Sequence, residues 1–393
     1  SKHGARIELR NVANAEPGMS PMGIWCNEAQ ERYVLIVAED RIEEFETLCD
    51  RERCPLSVIG TLTDDGRLVV TDFEFDNRPV DMPMQMLLGN PPKMTRDVAR
   101  VIRPADDVDL SDIELEDAVY RVLRFPAVAS KSFLIHIGDR TVGGLSARDQ
   151  LIGPWQVPVS DVAITLSGFD GVTGEAMTMG ERTPLAAFNA PASGRMAVAE
   201  AITNIAAAAI DGIDKIRLSA NWMAAAGHAG EDASLFDTVK TVANDMCRKL
   251  GIAIPVGKDS LSMRARWQQD GDDYQVVAPV SLIVSAFAPV CDATRQLTPQ
   301  LQPTNEQSYL LLFDLGDRKN RLGGSCLAQA FNRVGGEAPD IDDPAALGNF
   351  FAAIQELSSR DMLLAYHDRS DGGLLATVAE MMFASRFGVS LQL

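Results

Sequence analysis

The sequence predicts a mixed α/β (α+β) protein of at least two domains, and three observations lead there. Its 393 residues exceed what one hydrophobic core usually organises. A strand–helix–strand–strand pattern fills residues 31–72, and strands mix with helices again from 130 to about 290. In the first block ERYVLIVA (31–38) has the apolar, β-prone character of a strand. RIEEFETLCDRE (41–52) follows with helical period, placing Ile42, Phe45 and Leu48 on one stripe. CPLSVIGTLT (54–63) is the next strand, Asp65-Gly66 a tight turn, and RLVVTD (67–72) its hairpin partner. That order is half of a ferredoxin-like layer.

Pro and Asp punctuate residues 76–128, so a first domain is drawn over 1–98 and a connector over 99–129. A second domain covers 130–298. Its strands are FLIHI (133–137), VSDVAITL (159–166), KIRLSA (215–220), IAIPV (252–256) and APVSLIVSAFA (278–288). Its helices are GRMAVAEAITNIAAAAI (194–210) and ASLFDTVKTVANDMCRKLG (233–251). The polar, two-proline stretch LTPQLQPTNEQ (297–307) reads as a linker. A third domain over 308–393 opens with strand SYLLLFDLG and continues with helices in 325–336 and 343–360. Strand DMLLAYH (361–367), helix GGLLATVAEMMFASR (372–386) and strand GVSLQL (388–393) complete it. The start, SKHGARIELR, and the terminal strand read as cuts inside a longer protein.

With 36 basic and 55 acidic residues the formal charge is −19, which repels nucleic acid and anionic membrane surfaces. Any phosphate must then be met locally, by a bridging metal, a helix N-terminus or a glycine-rich nest. Six cysteines without a CxxC read as reduced thiols of a cytoplasmic protein. Four histidines without a metal-ligand spacing argue against zinc, and neither a signal peptide nor a transmembrane run is present.

Acid and amide groups stand where a core would not want them. Glu200 and Asn204 share one helical face, four residues apart, in a stretch otherwise made of Ala, Val, Ile and Met. Asp161 opens the apolar run DVAITL, and HDRSDGG (367–373) joins an apolar strand to an apolar helix. Oxygen ligands converging from a strand end, a helix face and a Gly-rich turn suit Mg²⁺ bound to nucleotide phosphates. Asp368 and Ser370 alternate in HDRSDGG and so face one side, as a ligand and a hydroxyl donor would. The bland alternatives are a solvated stripe for Glu200 and Asn204, and an ordinary helix cap for Ser370 or Asp371. The glycine-rich loops 140–161 and 171–184 match neither phosphate-binding fingerprint. Lys258 suits a phosphate or a solvated loop, and His228 and Cys26 read as packing residues.

At this point the chain resembles a known family. GMSPMGIWCNEAQERY, VASKSFLIHIGDRTVGGLSARDQLIGPWQVPVSD, GEAMTMGERTP, AVAEAITNIA, RLSANWMAAAGHAGEDA, VGKDSLSM and HDRSDGG are similar, in order, to the large single-chain phosphoribosylformylglycinamidine synthases. These are the formylglycinamide ribonucleotide amidotransferases of purine biosynthesis. The resemblance implies an aminoimidazole ribonucleotide synthetase-like fold in tandem duplication. The chain would start inside the first copy's C-terminal domain, hold the second copy's N-terminal domain, and end within the second C-terminal domain.

It further implies Asp161, Glu200, Asn204 and Asp368 as Mg²⁺ ligands, and Ser160, Ser370 and Lys131 as nucleotide contacts. The family more often has Ala at the Ser160 position, which a main-chain contact would survive. The site would be auxiliary, holding ADP with magnesium as a structural element, and no catalytic residue is assigned. The parent protein would convert formylglycinamide ribonucleotide, glutamine and ATP to the amidine, with the remaining domains of the same chain as partners. The fragment alone is expected to be inactive. The competing expectations are a free-standing ATP-dependent synthetase or kinase of the same superfamily, and a nucleotide-free structural module.

Overall fold

Residues 3–89, 92–102, 106–136, 138, 140–141, 143–304 and 307–392 are described by the computed structural model. They fall into two compact units, Ser1–Arg96 and Asp97–Leu393.

In the first unit β1 (Gly4–Glu8), β2 (Gly60–Thr63), β3 (Arg67–Asp72) and β4 (Asn77–Pro83) form one sheet in the order β2-β1-β3-β4. Only β1 and β3 are parallel. The expected hairpin between 54–63 and 67–72 is therefore corrected, because β1 lies between its two arms. At the turn, Asp65 Oδ1 accepts from Arg67 N at 3.0 Å and from Thr63 Oγ1 at 2.7 Å. Gly4 at the start of β1 passes close by, where an added Cβ would stand 2.2 Å from Arg67 O and 2.6 Å from Asp65 Oδ1. Val70, Leu9 and Ile24 form the small core of this sheet, under α1 (Pro21–Trp25). Arg10 and Asp72 pair at 2.8 Å with side chains only 7% and 0% exposed.

Helix α2 (Ile42–Arg51) forms as expected, and α3 (Met84–Leu88) follows β4. The strand expected at 31–38 does not form. Tyr33 and Val34 are 81% and 82% exposed, and no strand among the described residues pairs with the segment. β-propensity yields a strand only where a ladder neighbour exists.

The second unit is built on a six-stranded sheet in the order β5-β6-β7-β12-β8-β9. Its strands are β5 (Ser146–Arg148), β6 (Ala163–Leu166), β7 (Gly174–Glu181), β8 (Arg217–Met223), β9 (Ala253–Ser260) and β12 (Ser281–Val290). All neighbours are antiparallel except β8 and β9. β10 (Arg264–Gln269) and β11 (Asp272–Val277) form a separate hairpin.

Of the helices, α4 (Leu115–Arg124) and α5 (Ser132–Ile135) precede the sheet, and α6 (Ala190–Ile205) packs on β7 and β12. α7 (Glu231–Lys240), a π-helical stretch (Thr241–Cys247) and α8 (Arg248–Leu250) together make the expected second helix. The main core sets Ala197, Ala201, Ile202 and Ile205 among Ile164, Leu218, Leu282 and Val284, all buried. Burying each larger aliphatic side chain contributes about 1.5–3 kcal/mol.

The remaining helices are α9 (Cys326–Ala330), α10 (Pro344–Ser359) and α11 (Gly373–Ser385). Three expected strands are corrected here: 308–316, 361–367 and 388–392 carry no ladder. The second is instead held by single contacts, Tyr366 N to Thr298 O at 2.9 Å and Tyr366 Oη to Thr203 O at 2.6 Å. The strand expected at FLIHI is a helical turn, since Leu134 N and His136 N bond back to Lys131 O and Ser132 O. Ile137, Leu393, residues 1–2 and residues 305–306 of the expected linker lie outside the described residues. Among the described residues no helix is long and apolar enough to cross a membrane.

Candidate metal and nucleotide site

Asp161 stands just before β6, where the neighbouring Val162 and Ile164 enter the core. HDRSDGG leaves the irregular 361–366 segment and runs into α11. The two meet. His367 Nδ1 lies 2.7 Å from Asp161 Oδ1, and its Nε2 lies 2.7 Å from Glu380 Oε2 on α11. Asp368 N donates to Asp161 Oδ1 at 3.3 Å. The Asp161, His367 and Asp368 side chains are 2%, 6% and 9% exposed. One donor atom from each lies within 4.8 Å of the other two.

Ser370 and Asp371 do not cap α11. The cap position is Gly372, left-handed at φ 83° and without a side-chain hydrogen bond. An added Cβ there would also stand 2.6 Å from Ala376 Cβ. Freed from capping, Ser370 Oγ donates to Glu200 Oε1 and Asp371 pairs with Arg182. Glu181 N donates to the other Glu200 oxygen at 2.7 Å. Glu200 is thus half-buried and bonded at both oxygens, not part of a solvated stripe.

The other expected residues sit less centrally. Asn204 Nδ2 donates to Met179 O at 3.2 Å, and Ser160 Oγ donates to Val162 O at 2.8 Å. Lys131 Nζ donates to Ala129 O in its own loop. Among the described residues, neither Asn204 nor Lys131 is hydrogen-bonded to the Asp161–His367–Asp368 group. Arg182 and Glu380 were not singled out from the sequence, while His367 entered only within HDRSDGG and Asp371 only as a possible helix cap. Glu380 gave a signal of the Glu200 kind, a carboxylate inside the apolar run LLATVAEMMFA.

The electrostatics are those of crowded acids. Burial pushes the Asp368 carboxyl well above its usual range, and the Asp161 charge adds to it. Burial likewise raises Glu200, against the hydrogen bonds from Ser370 and Glu181. Burial pulls His367 down, but Asp161 and Glu380 together outweigh it and hold the imidazole well above its ordinary value. Burial, then Asp161 and Asp368, raise the Tyr366 hydroxyl. Burial and Asp371 push the Cys326 thiol up to about 11.

The His367 shift has a testable sign. A raised folded-state value means stabilisation that is complete below about pH 6.5, the unfolded value, and lost as pH rises through the higher folded-state value. In chelator, the stability difference between wild type and His367→Gln is expected to be larger near about pH 6 than near about pH 9. Chemical denaturation at both values checks this, and a pH-independent difference would contradict it.

Asp161 Oδ2 is buried and, among the described residues, has no hydrogen-bond partner. An orphaned carboxylate oxygen beside a second buried carboxyl fits a hard cation, which takes oxygen ligands. Both His367 nitrogens are committed to carboxylates, so the oxygens of Asp161 and Asp368 are the natural donors and His367 orients them.

Residues 130–289 match the FGAR-AT PurM_N-like domain family. Residues 1–73 and 310–393 match the AIR synthase related protein C-terminal domain. Among solved structures, the chain is similar to Thermotoga maritima PurL complexed with ATP, at 17% identity and TM-score 0.50. That alignment covers 76% of this chain and 44% of the other. PurLQS from Thermotoga maritima matches at 18% and TM-score 0.52, again over 76% and 44% of the two chains. PurL of T. maritima complexed with FGAR matches at 16% and 0.51, over 76% and 43%. The likeness is one of fold, and the chain spans under half the length of these proteins. An FGAR-AT PurM_N-like domain thus stands between two stretches of AIR synthase related C-terminal domain, and over the matched residues the chain belongs to these two domain families.

Proposed function

We propose that this chain is part of the synthetase core of an ATP-dependent carbon–nitrogen ligase. The whole enzyme would make formylglycinamidine ribonucleotide from formylglycinamide ribonucleotide, glutamine and ATP in the cytoplasm. The division at 130–298 and 308–393 would set the ligand groups on two facing domains, with an auxiliary Mg–ADP site between them. The single observation that carries this reading is the buried Asp161 Oδ2, which has no hydrogen-bond partner among the described residues and lies in the stretch matching the FGAR-AT PurM_N-like family, beside Asp368 of the AIR synthase-type stretch.

Asp161 and Asp368 would hold Mg²⁺, with Glu200 and Asn204 completing the set from one face of α6. The metal would neutralise diphosphate charge, which a chain of formal charge −19 otherwise repels. Ser370, Ser160 and Lys131 would contact the nucleotide. Ser370 holds Glu200 here, so ligand binding would exchange that bond for one to phosphate or metal.

Thermal unfolding with ADP, with Mg²⁺ and with both tests the reading. Stabilisation is expected only with both, because a ligand that binds the folded state alone raises its stability. Equal stabilisation by ADP in excess chelator rejects a metal-bridged site. Steady ATP turnover would favour the kinase alternative, and no response to nucleotide the structural module.

A further inference from the structure

Helix α2 ends in a specific hydrogen-bond pattern. Cys54 N donates to Cys49 O at 2.9 Å and Arg53 N donates to Asp50 O at 3.1 Å. Arg53 between them is left-handed, at φ 54°. These are the marks of a Schellman motif, in which the second residue past the helix folds back onto the last turn and the two side chains touch. That contact is ordinarily apolar. Here it falls to two thiols, Cys49 half-buried and Cys54 exposed. Slight burial, and then the Cys54 thiol as charged and hydrogen-bonding neighbour, raise the Cys49 pKa. No other two cysteines of the chain lie within six residues of each other.

A disulfide needs Cα atoms about 4.4–6.8 Å apart and convergent side chains. A 2.9 Å bond between the two main chains keeps the Cα atoms in that range. We infer that Cys49 and Cys54 form a reversible disulfide and are the site at which this chain is oxidised by low-molecular-weight disulfides such as glutathione disulfide.

The exchange balances. The Cys54 thiolate, the more accessible, attacks one sulfur of the small disulfide. Its other half leaves as a thiolate and takes up the proton that Cys54 gave. The Cys49 thiolate then attacks the Cys54 sulfur, and the second small thiol departs with the Cys49 proton. Two protein thiols are oxidised and one small disulfide is reduced to two thiols. The bond would fasten the last turn of α2 to the chain that leads into β2.

The test equilibrates the full chain in glutathione buffers of rising disulfide content, alkylates free thiols, and reads tryptic peptides by mass spectrometry. Of the six cysteines, Cys49 and Cys54 should disappear together at the lowest disulfide content. Peptides 42–51 and 54–67 should stay joined until reductant is added. Cys49→Ser should leave Cys54 carrying a glutathione adduct, and Cys54→Ser should leave Cys49 alkylatable at the same buffer ratio. Adducts on Cys54 of the wild type with no joined peptides at any ratio would overturn the inference. So would a link from either residue to Cys26 or Cys291 in place of this one.

Discussion

Asp368→Asn is expected to abolish most of the stabilisation conferred by Mg–ADP while leaving the ligand-free protein as stable as wild type, or slightly more so. Without a cation the carboxyl is buried beside Asp161, and its raised pKa records the cost of charging it there. A neutral amide of the same shape removes that cost. The main-chain bonds of Asp368 to Asp161 and Thr377 do not involve the substituted atoms. With the cation the balance reverses, because a charged ligand is lost. At a hundredfold excess over Kd the wild type gains about 2.7 kcal/mol, and a variant binding a hundredfold more weakly gains about 0.4 kcal/mol.

The pH dependence follows the same sign. A carboxyl with a raised folded value stabilises fully below about pH 3.8 and loses that contribution as pH rises through the folded value, so the ligand-free variant gains most at neutral pH. Melting temperatures of both proteins with and without Mg–ADP decide it. A wild-type-sized ligand shift in the variant would remove Asp368 from the ligand set. Glu200→Gln is a less clean probe. Both Glu200 oxygens accept hydrogen bonds, and an amide would turn an NH₂ group toward one of the two donors.

Gly180→Ala is expected to cost about 3 kcal/mol or more, through overpacking and the loss of one charge-assisted hydrogen bond. A Cβ at Gly180 would stand 2.1 Å from Ala197 O and 2.6 Å from Ala201 N, both main-chain atoms of α6. Backbone cannot rotate aside as a side chain can, so α6 must move off β7. That movement pulls Glu200 from Glu181 N and disturbs Thr178 Oγ1, which donates to Ala201 O at 2.9 Å. Stability and the Mg–ADP response should therefore fall together. Gly18→Ala, where an added Cβ meets nothing within 4 Å, is the matched control. Equal melting temperatures for the two variants would show that the helix yields without cost.

The helices were the most legible part of the sequence. α2 announces itself by its period, and α6, α10 and α11 by apolar runs longer than a strand. Strands were legible only where the sheet accepts them. SLIVSAFAPV is central in its sheet, whereas YVLIV and YLLLF are as apolar and remain unpaired. Pairing is a property of the neighbour, which no local window contains. The site shows the same division. Asp161, Glu200 and Asp368 were visible as acids in apolar company. His367 and Arg182 were not, since an imidazole fixed between carboxylates and an arginine paired with Asp371 are defined by contacts across 206 and 189 residues.

The strand order bears on how this protein can be made. β12 is the seam between β7 and β8, yet it is the last strand of its sheet to leave the ribosome. Until residue 290 emerges, α6 has only half a surface to lie on, and the nascent chain must carry its alanine-rich face uncovered. Asp161 then waits 206 residues for His367. At roughly 5–20 residues per second that is on the order of tens of seconds. The acids of this site are assembled late, after the scaffold that will confine them has closed. Slow elongation over 160–290 therefore exposes this protein to misassociation, whereas a pause after 290 gives an already shut sheet time to receive α11.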